Sequence, residues 1–291
     1  NTVHVLKTYK LYIDGKFPRT ESGRSIPYKV KEKQIANICR SSRKDLRNAV
    51  VAARKAQESW ANKTAFNRSQ ILYRIAEMLE GRKSQFIEEI MLQGFDKKSA
   101  NNEVRLAIDR VIYFAGWADK FQQVFSSVNP VASDHFNFSI YEPTGVVFAF
   151  ADDETALIGL ISSIIPIICG GNTCIILASE RFPLSAITFA EVLNSSDVPA
   201  GVVNILTGLA EELISHAGSH KDINAISYAR SSKNNLSKLK ELAADNVKRV
   251  HDERADFWSE ACANPYVIMN YCEVKTTWHP IEKIGASGSG Y

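Results

Sequence analysis

The 291 residues contain no apolar stretch long enough to span a bilayer; the longest, from Ala156 to Cys169, is short and carries Pro166, so it reads as a core helix. An excess of one charge is missing too. Thirty-five Lys and Arg stand against 32 Asp and Glu, a net charge of +3, and the two signs are interspersed. That balance argues against a nucleic acid or a membrane surface as partner. Cysteine is sparse, with Cys39, Cys169, Cys174, Cys262 and Cys272 making an odd count without paired-ligand spacing, and the start of the chain has no secretory apolar region. The expectation is an intracellular, cytoplasmic protein with no zinc site. Cys169 and Cys174 lie among apolar residues and read as buried hydrophobes, whereas Cys262 and Cys272 read as free surface thiols. His216 and His220 have helical spacing but no acid-rich partner motif, so they read as a solvated pair and no metal site is expected. No Gly-x-Gly-x-x-Gly turn is present.

What is present changes character near Glu142. Before it the chain reads as helix after a short extended start, with a small hairpin expected at Asp14-Gly15. Ser42 and Asp45 form a capping-box signal, and Leu46, Val50, Ala53 and Trp60 make one helical stripe. Further stripes run through Ile71, Ile75, Met78, Leu79, Phe86 and Ile90, then through Val104, Ile108, Val111, Ala115 and Ala118. From Glu142 onward short Val- and Ile-rich strands alternate with helices, which predicts an α/β fold built on an open, mostly parallel, Rossmann-like sheet with an N-terminal helical layer. The stretch from Tyr266 to Pro280 reads as one extended strand, and 281–291 as a flexible tail.

Four segments, "EPTGVV" at 142–147, "PIICGGNTCIILASERFPLSA" at 166–186, "DVPAGVVNILTG" at 197–208 and "KDINAISYARSS" at 221–232, resemble the NAD-binding half of an aldehyde dehydrogenase. "FAGWADKF", "DETALIGL", "SERFPL" and "LNSSDVPAGVVNILTG" are most similar to the degenerate second domain of aldehyde dehydrogenase family sixteen. The resemblance implies a dinucleotide-binding-type domain over 1–250, interrupted at about 124–144 by a protruding hairpin. A connector at 251–264 would replace the catalytic domain, and 265–280 would form a C-terminal oligomerisation strand.

The same resemblance implies a missing active site. Asp152, Asp153 and Glu154 stand where active members read Pro-Trp-Asn, so Glu154 replaces the amide that stabilises an oxyanion. A carboxylate there opposes the charge that must develop. The acids instead read as caps and dipole partners of the following helix. No cysteine loop of the active type is found. Glu253 matches the general base by position only, a relic that reads as a solvated acid, and fewer than twenty residues separate it from Cys272 where a catalytic domain would be inserted.

For the cofactor, Glu180, Ser231 and Gly208 survive at positions that would face the dinucleotide, while Leu177 and Arg230 replace a Lys and a Gly. No cofactor is expected, with NAD as the alternative. The strands holding Phe136, Phe138 and Ile140, and Val267, Tyr271, Val274 and Trp278, are expected to form an interface. The function expected is a catalytically inactive structural domain that dimerises and docks on a complete aldehyde-dehydrogenase-like domain in the same polypeptide. Two other readings stay open: an NAD(P)-binding aldehyde oxidoreductase with altered residues, and an adaptor that uses the acidic turn.

Overall fold

A computed structural model describes residues 6–281; the segment 282–291, read above as a tail, lies outside the described residues. The chain opens with β1 (Thr8–Tyr9), β2 (Ser25–Val30) and β3 (Lys33–Cys39), in the order β1-β3-β2. The small hairpin expected at Asp14-Gly15 forms: both turn residues have positive φ, Ile13 and Lys16 bridge across them, and the Leu11 amide donates to the Pro18 carbonyl at 3.0 Å, while Tyr12 pairs with Ile205. Ala200 packs close to Gly15, so the turn is pinned against the sheet. A longer hairpin, β2–β3, turns at Lys31 and Glu32, both also at positive φ. Neither residue type announces such a turn, which is why it is not legible in the sequence.

Four long helices follow: α1 (Arg43–Ala61), α2 (Ala65–Gly81), α3 (Lys83–Leu92) and α4 (Lys97–Trp117), with a short α5 (Phe121–Phe125). The Ser42–Asp45 capping box forms, and Asp45 also accepts from the Thr20 hydroxyl at 2.6 Å and the Glu21 amide at 3.0 Å. Leu46, Val50, Ala53 and Trp60 are buried as their spacing predicts. Each large apolar side chain so buried contributes about 1.5–3 kcal/mol.

Next come β4 (Ser127–Asn129), β5 (His135–Pro143), β6 (Val146–Phe150), α6 (Ile158–Cys169), β7 (Thr173–Leu177), α7 (Leu184–Asn194), β8 (Val203–Leu206), α8 (Ala210–Ser219), β9 (Ala225–Tyr228), α9 (Lys233–Ala244) and β10 (Arg249–Asp252). Among the described residues β10-β9-β6-β7-β8 form one all-parallel sheet. Alternate residues of its strands feed two apolar layers. Val147, Ala149, Cys174 and Ile176 join the layer with α6, whereas Phe148, Phe150, Ile175 and Tyr228 join the layer with α1. Every residue of α6 is buried, which accounts for its all-round apolar sequence.

A 3₁₀ turn at Glu260–Cys262, the single-turn α10 (Tyr266–Met269) and β11 (Cys272–Pro280) complete the described chain. β11-β5-β4 form a third sheet, antiparallel throughout. The expected strand over 265–280 is therefore corrected at its start. Asn264 accepts from the Tyr266 amide and Pro265 opens the turn, so the segment coils before it extends. Tyr271 is consequently buried within this chain and Val267 packs half-buried on the core, so neither lies on the projecting strand. Register separates the remaining apolar residues as well. Phe136, Phe138 and Ile140 oppose His279, Thr277 and Lys275, whereas Val274 and Trp278 oppose Tyr141 and Asn137, so the two sets occupy opposite faces of the sheet. Phe136, Val274 and Trp278 are exposed, and Phe138 and Ile140 half-buried.

Candidate functional site

The parallel sheet runs β6-β7-β8 in one direction and β9-β10 in the other, so its order reverses between β6 and β9. In open parallel sheets such a reversal leaves a crevice at the carboxyl ends of the strands, where ligands bind. Arg230, just beyond β9, fills that position here. Its buried guanidinium donates to the Ala151 carbonyl at 3.0 Å and the Ala178 carbonyl at 2.9 Å, at the ends of β6 and β7. It also pairs with Glu180 and, at 3.4 Å, with Asp153. Arg230 thus ties together the ends of β6, β7 and β9.

The acidic turn after β6 is spent on the same framework. Buried Asp152 accepts from the Glu154 amide at 3.0 Å and the Thr155 hydroxyl at 2.8 Å. Burial, with Asp153 nearby, pushes its pKa up to about 6 against those two bonds. A Cβ on Gly159 would fall 1.7 Å from Asp152, so that glycine makes room for the turn. Asp153 accepts from the Ser179 hydroxyl and the Glu180 amide, and exposed Glu154 pairs with Arg181 at 2.8 Å.

The acids do not cap the following helix, contrary to the sequence expectation. α6 begins at Ile158, several residues too late for them; the Gly159 amide goes to the Thr155 hydroxyl, and the Ile158 amide, with the two before it, goes to Glu103 of α4. One oxygen of Glu103 accepts from Ala156, Leu157 and Ile158 at 2.8, 2.7 and 3.1 Å. Burial raises the pKa of Glu103, while those three amides act in the other direction. Glu103 was not singled out from sequence, although an acid one residue from Val104 in an apolar stripe is a readable anomaly. Arg110, seven residues on, is the second such residue. Buried, it donates to the Ser162 hydroxyl at 2.7 Å and to the Phe257 and Ser259 carbonyls, fastening the connector to α6.

The three residues expected toward a dinucleotide are not presented together. Glu180 is held by Arg230 and by the Ala210 amide at 2.8 Å. Gly208 has φ +133° and a Cβ there would meet the Ser41 amide nitrogen at 2.9 Å, so close backbone packing explains this glycine. Ser231 alone opens onto the cleft of about 300 Å³ beside the crevice, with Asp153, Thr155, Arg254 and Trp258 among its walls. Leu177 is buried in β7. The Arg230 side chain lies across the crevice between these residues.

Glu253 is not a freely solvated acid: it accepts from the Asn270 side chain at 3.0 Å and the Tyr271 hydroxyl at 3.1 Å. It borders a cavity of only about 60 Å³, shared with Ser227 and Cys262. Burial raises the pKa of the half-buried Cys262 thiol, with the Arg110 guanidinium opposing, and its sulfur donates to the Asp256 carbonyl at 3.2 Å. Cys272, read as a surface thiol, is buried because β11 starts under α10, and burial pushes its pKa up to about 12. Burial likewise raises Cys169 and Cys174. Thiols shifted in this direction stay protonated at neutral pH and are poor nucleophiles. Among the described residues no group of three or more His, Cys, Asp or Glu could hold a metal ion, and no helix is long and apolar enough to cross a membrane.

Comparison with known proteins adds the following. A family model described as "Aldehyde dehydrogenase family" matches residues 20–277. An aldehyde dehydrogenase of Aspergillus niger is 31% identical over 245 residues, covering 82% of this chain and 48% of its own. Cytosolic 10-formyltetrahydrofolate dehydrogenase of Xenopus laevis is 27% identical over 282 residues, covering 94% of this chain and 30% of its own. The NAD+ complex of an aldehyde dehydrogenase from Bacillus cereus superposes with a TM-score of 0.80 at 25% identity, covering 86% of this chain and 51% of that one. The chain spans about half the length, or less, of these relatives.

Proposed function

The chain belongs to the aldehyde dehydrogenase family, and from that premise we propose that it is a catalytically silent member, a scaffold domain of the family-sixteen kind. Its work is to dimerise and to dock on a complete dehydrogenase-like domain of the same polypeptide. The observation that carries this reading is Arg230, whose guanidinium takes up the crevice at the strand ends with bonds from within the chain. The shifted thiols and the small cavity at Glu253 support it, since a thiolate attack on an aldehyde needs both an ionised sulfur and room for the substrate. The exposed apolar residues Phe136, Val274 and Trp278, on both faces of a projecting sheet, support the pairing role.

The relatives favour one second reading, because the Bacillus cereus structure was solved with NAD+. On that reading Arg230 would swing out and the chain would bind NAD(P) as an altered oxidoreductase. Two measurements separate the readings. Aldehyde-dependent reduction of NAD+ or NADP+ by this chain should be absent, and sedimentation should give a dimer that W278E weakens roughly tenfold or more. Turnover that rises with chain concentration would sink the silent-domain reading, and a monomer at high concentration would sink the pairing.

A further inference from the structure

Some cations of the N-terminal layer are matched to acids: Arg24 and Arg40 share Glu212, and Lys44 meets Glu21. Another group converges on a cleft without an acid. Where the first turns of α1 pass the end of α8, a cleft of about 410 Å³ is lined by Arg43, Arg47, His216, His220 and Lys221, together with Leu46 and Ser219. No carboxylate lines it. The side chains of Arg43, Arg47 and Lys221 have no ion pair or hydrogen bond among the described residues.

The helix end beside this cleft does not offset its charge. The carbonyls that end α8 would present the negative pole of the helix, but buried Lys248 already occupies them. Its ammonium donates to Ala217 at 3.3 Å and to Gly218 and His220 at 2.8 Å each. Burial, joined by the charges of Lys248, Arg43 and Arg47, holds the His220 imidazole below its ordinary pKa, while Asp222 pulls the other way. His220 Nδ1 accepts the Asp222 amide at 3.2 Å, which leaves the Nε2 proton of the neutral ring as a donor.

We propose that this cleft binds a phosphate-bearing small molecule. Two guanidinium forks on successive turns of α1 suit the paired oxygens of a phosphate better than a single carboxylate, and three fixed cations suit a charge of about −2. The volume holds a phosphate ester of modest size. α8 starts beside Glu180, at the carboxyl edge of the sheet, and the cleft lies at its far end, so this site is separate from the crevice that Arg230 fills. The proposal is independent of the silent-domain reading.

Inorganic pyrophosphate titrated into the full chain at an ionic strength of about 20 mM tests it, followed by calorimetry and by the ring-proton shifts of His216 and His220. The expected result is saturable binding of one equivalent that moves both histidines. R43Q/R47Q should weaken it roughly tenfold or more, K221Q from the opposite wall should weaken it several-fold, and K238Q/K240Q, which removes the same charge from α9, should leave it within about twofold. No saturable binding to the unaltered chain, unmoved histidine signals, or an equal loss in K238Q/K240Q would each overturn the proposal.

Discussion

Asp152 carries a carboxyl that burial lifts to about 6 from an ordinary value of 3.8. Such a group binds its proton more tightly in the folded state, so its contribution favours folding below about pH 4 and is lost as pH rises through 6. D152N is uncharged throughout and keeps an acceptor oxygen. Its stability relative to the unaltered chain should therefore grow between pH 4 and 7, by an amount on the order of 2 kcal/mol. Thermal melts at several pH values measure this, and a flat or falling difference would contradict it. Val247 holds a different residue-scale cost. It is 90% exposed and sits at φ 56°, a left-handed conformation that a β-branched side chain strongly resists. V247G should raise stability by about 0.5–1 kcal/mol in denaturant titrations, the relief of strain exceeding the added chain entropy. An unchanged or lower midpoint would mean that the strain is not there. Neither feature can be read from sequence, because one depends on burial and the other on how α9 ends.

At the scale of elements, α6 owes its start to α4. Glu103 supplies with one oxygen what an N-cap side chain would normally supply locally. E103A should cost about 2–3 kcal/mol, and E103Q, which retains an acceptor, clearly less. Equal losses for the two would indicate that the packing of the side chain matters and its oxygen does not. The stripes of α1 to α4, the Ser42–Asp45 cap and the strands from β6 to β10 were legible because periodicity and capping are local properties. The β2–β3 turn was not, since Lys31 and Glu32 adopt positive φ without the residue types that advertise it. The start of β11 was misread for a related reason: Val267 and Tyr271 suit a strand, but the Asn264-Pro265 pair coils the chain and Tyr271 turns inward to Glu253. The capping role given to Asp152, Asp153 and Glu154 failed because the partner that took the helix amides is about fifty residues away in sequence.

The whole molecule combines a parallel sheet between two helical layers with a small antiparallel sheet that projects from it. Fewer than twenty residues separate Glu253 from Cys272, and the structure shows what holds that short stretch: Arg110 reaching across from α4. The substitution at Arg230 was also visible, but its consequence was not. Sequence alone leaves open whether the new cation receives a phosphate, whereas the structure shows it held by Ala151, Ala178 and Glu180. The basic cleft between α1 and α8 escaped the charge count for the same reason, since its two halves lie far apart in the chain. The central claim is that the guanidinium excludes a dinucleotide from the strand ends. Calorimetric titration of NAD+ into the unaltered chain and into R230G tests it most directly: the account predicts no saturable heat from the unaltered chain, and binding to the unaltered chain at least as tight as to R230G would contradict it.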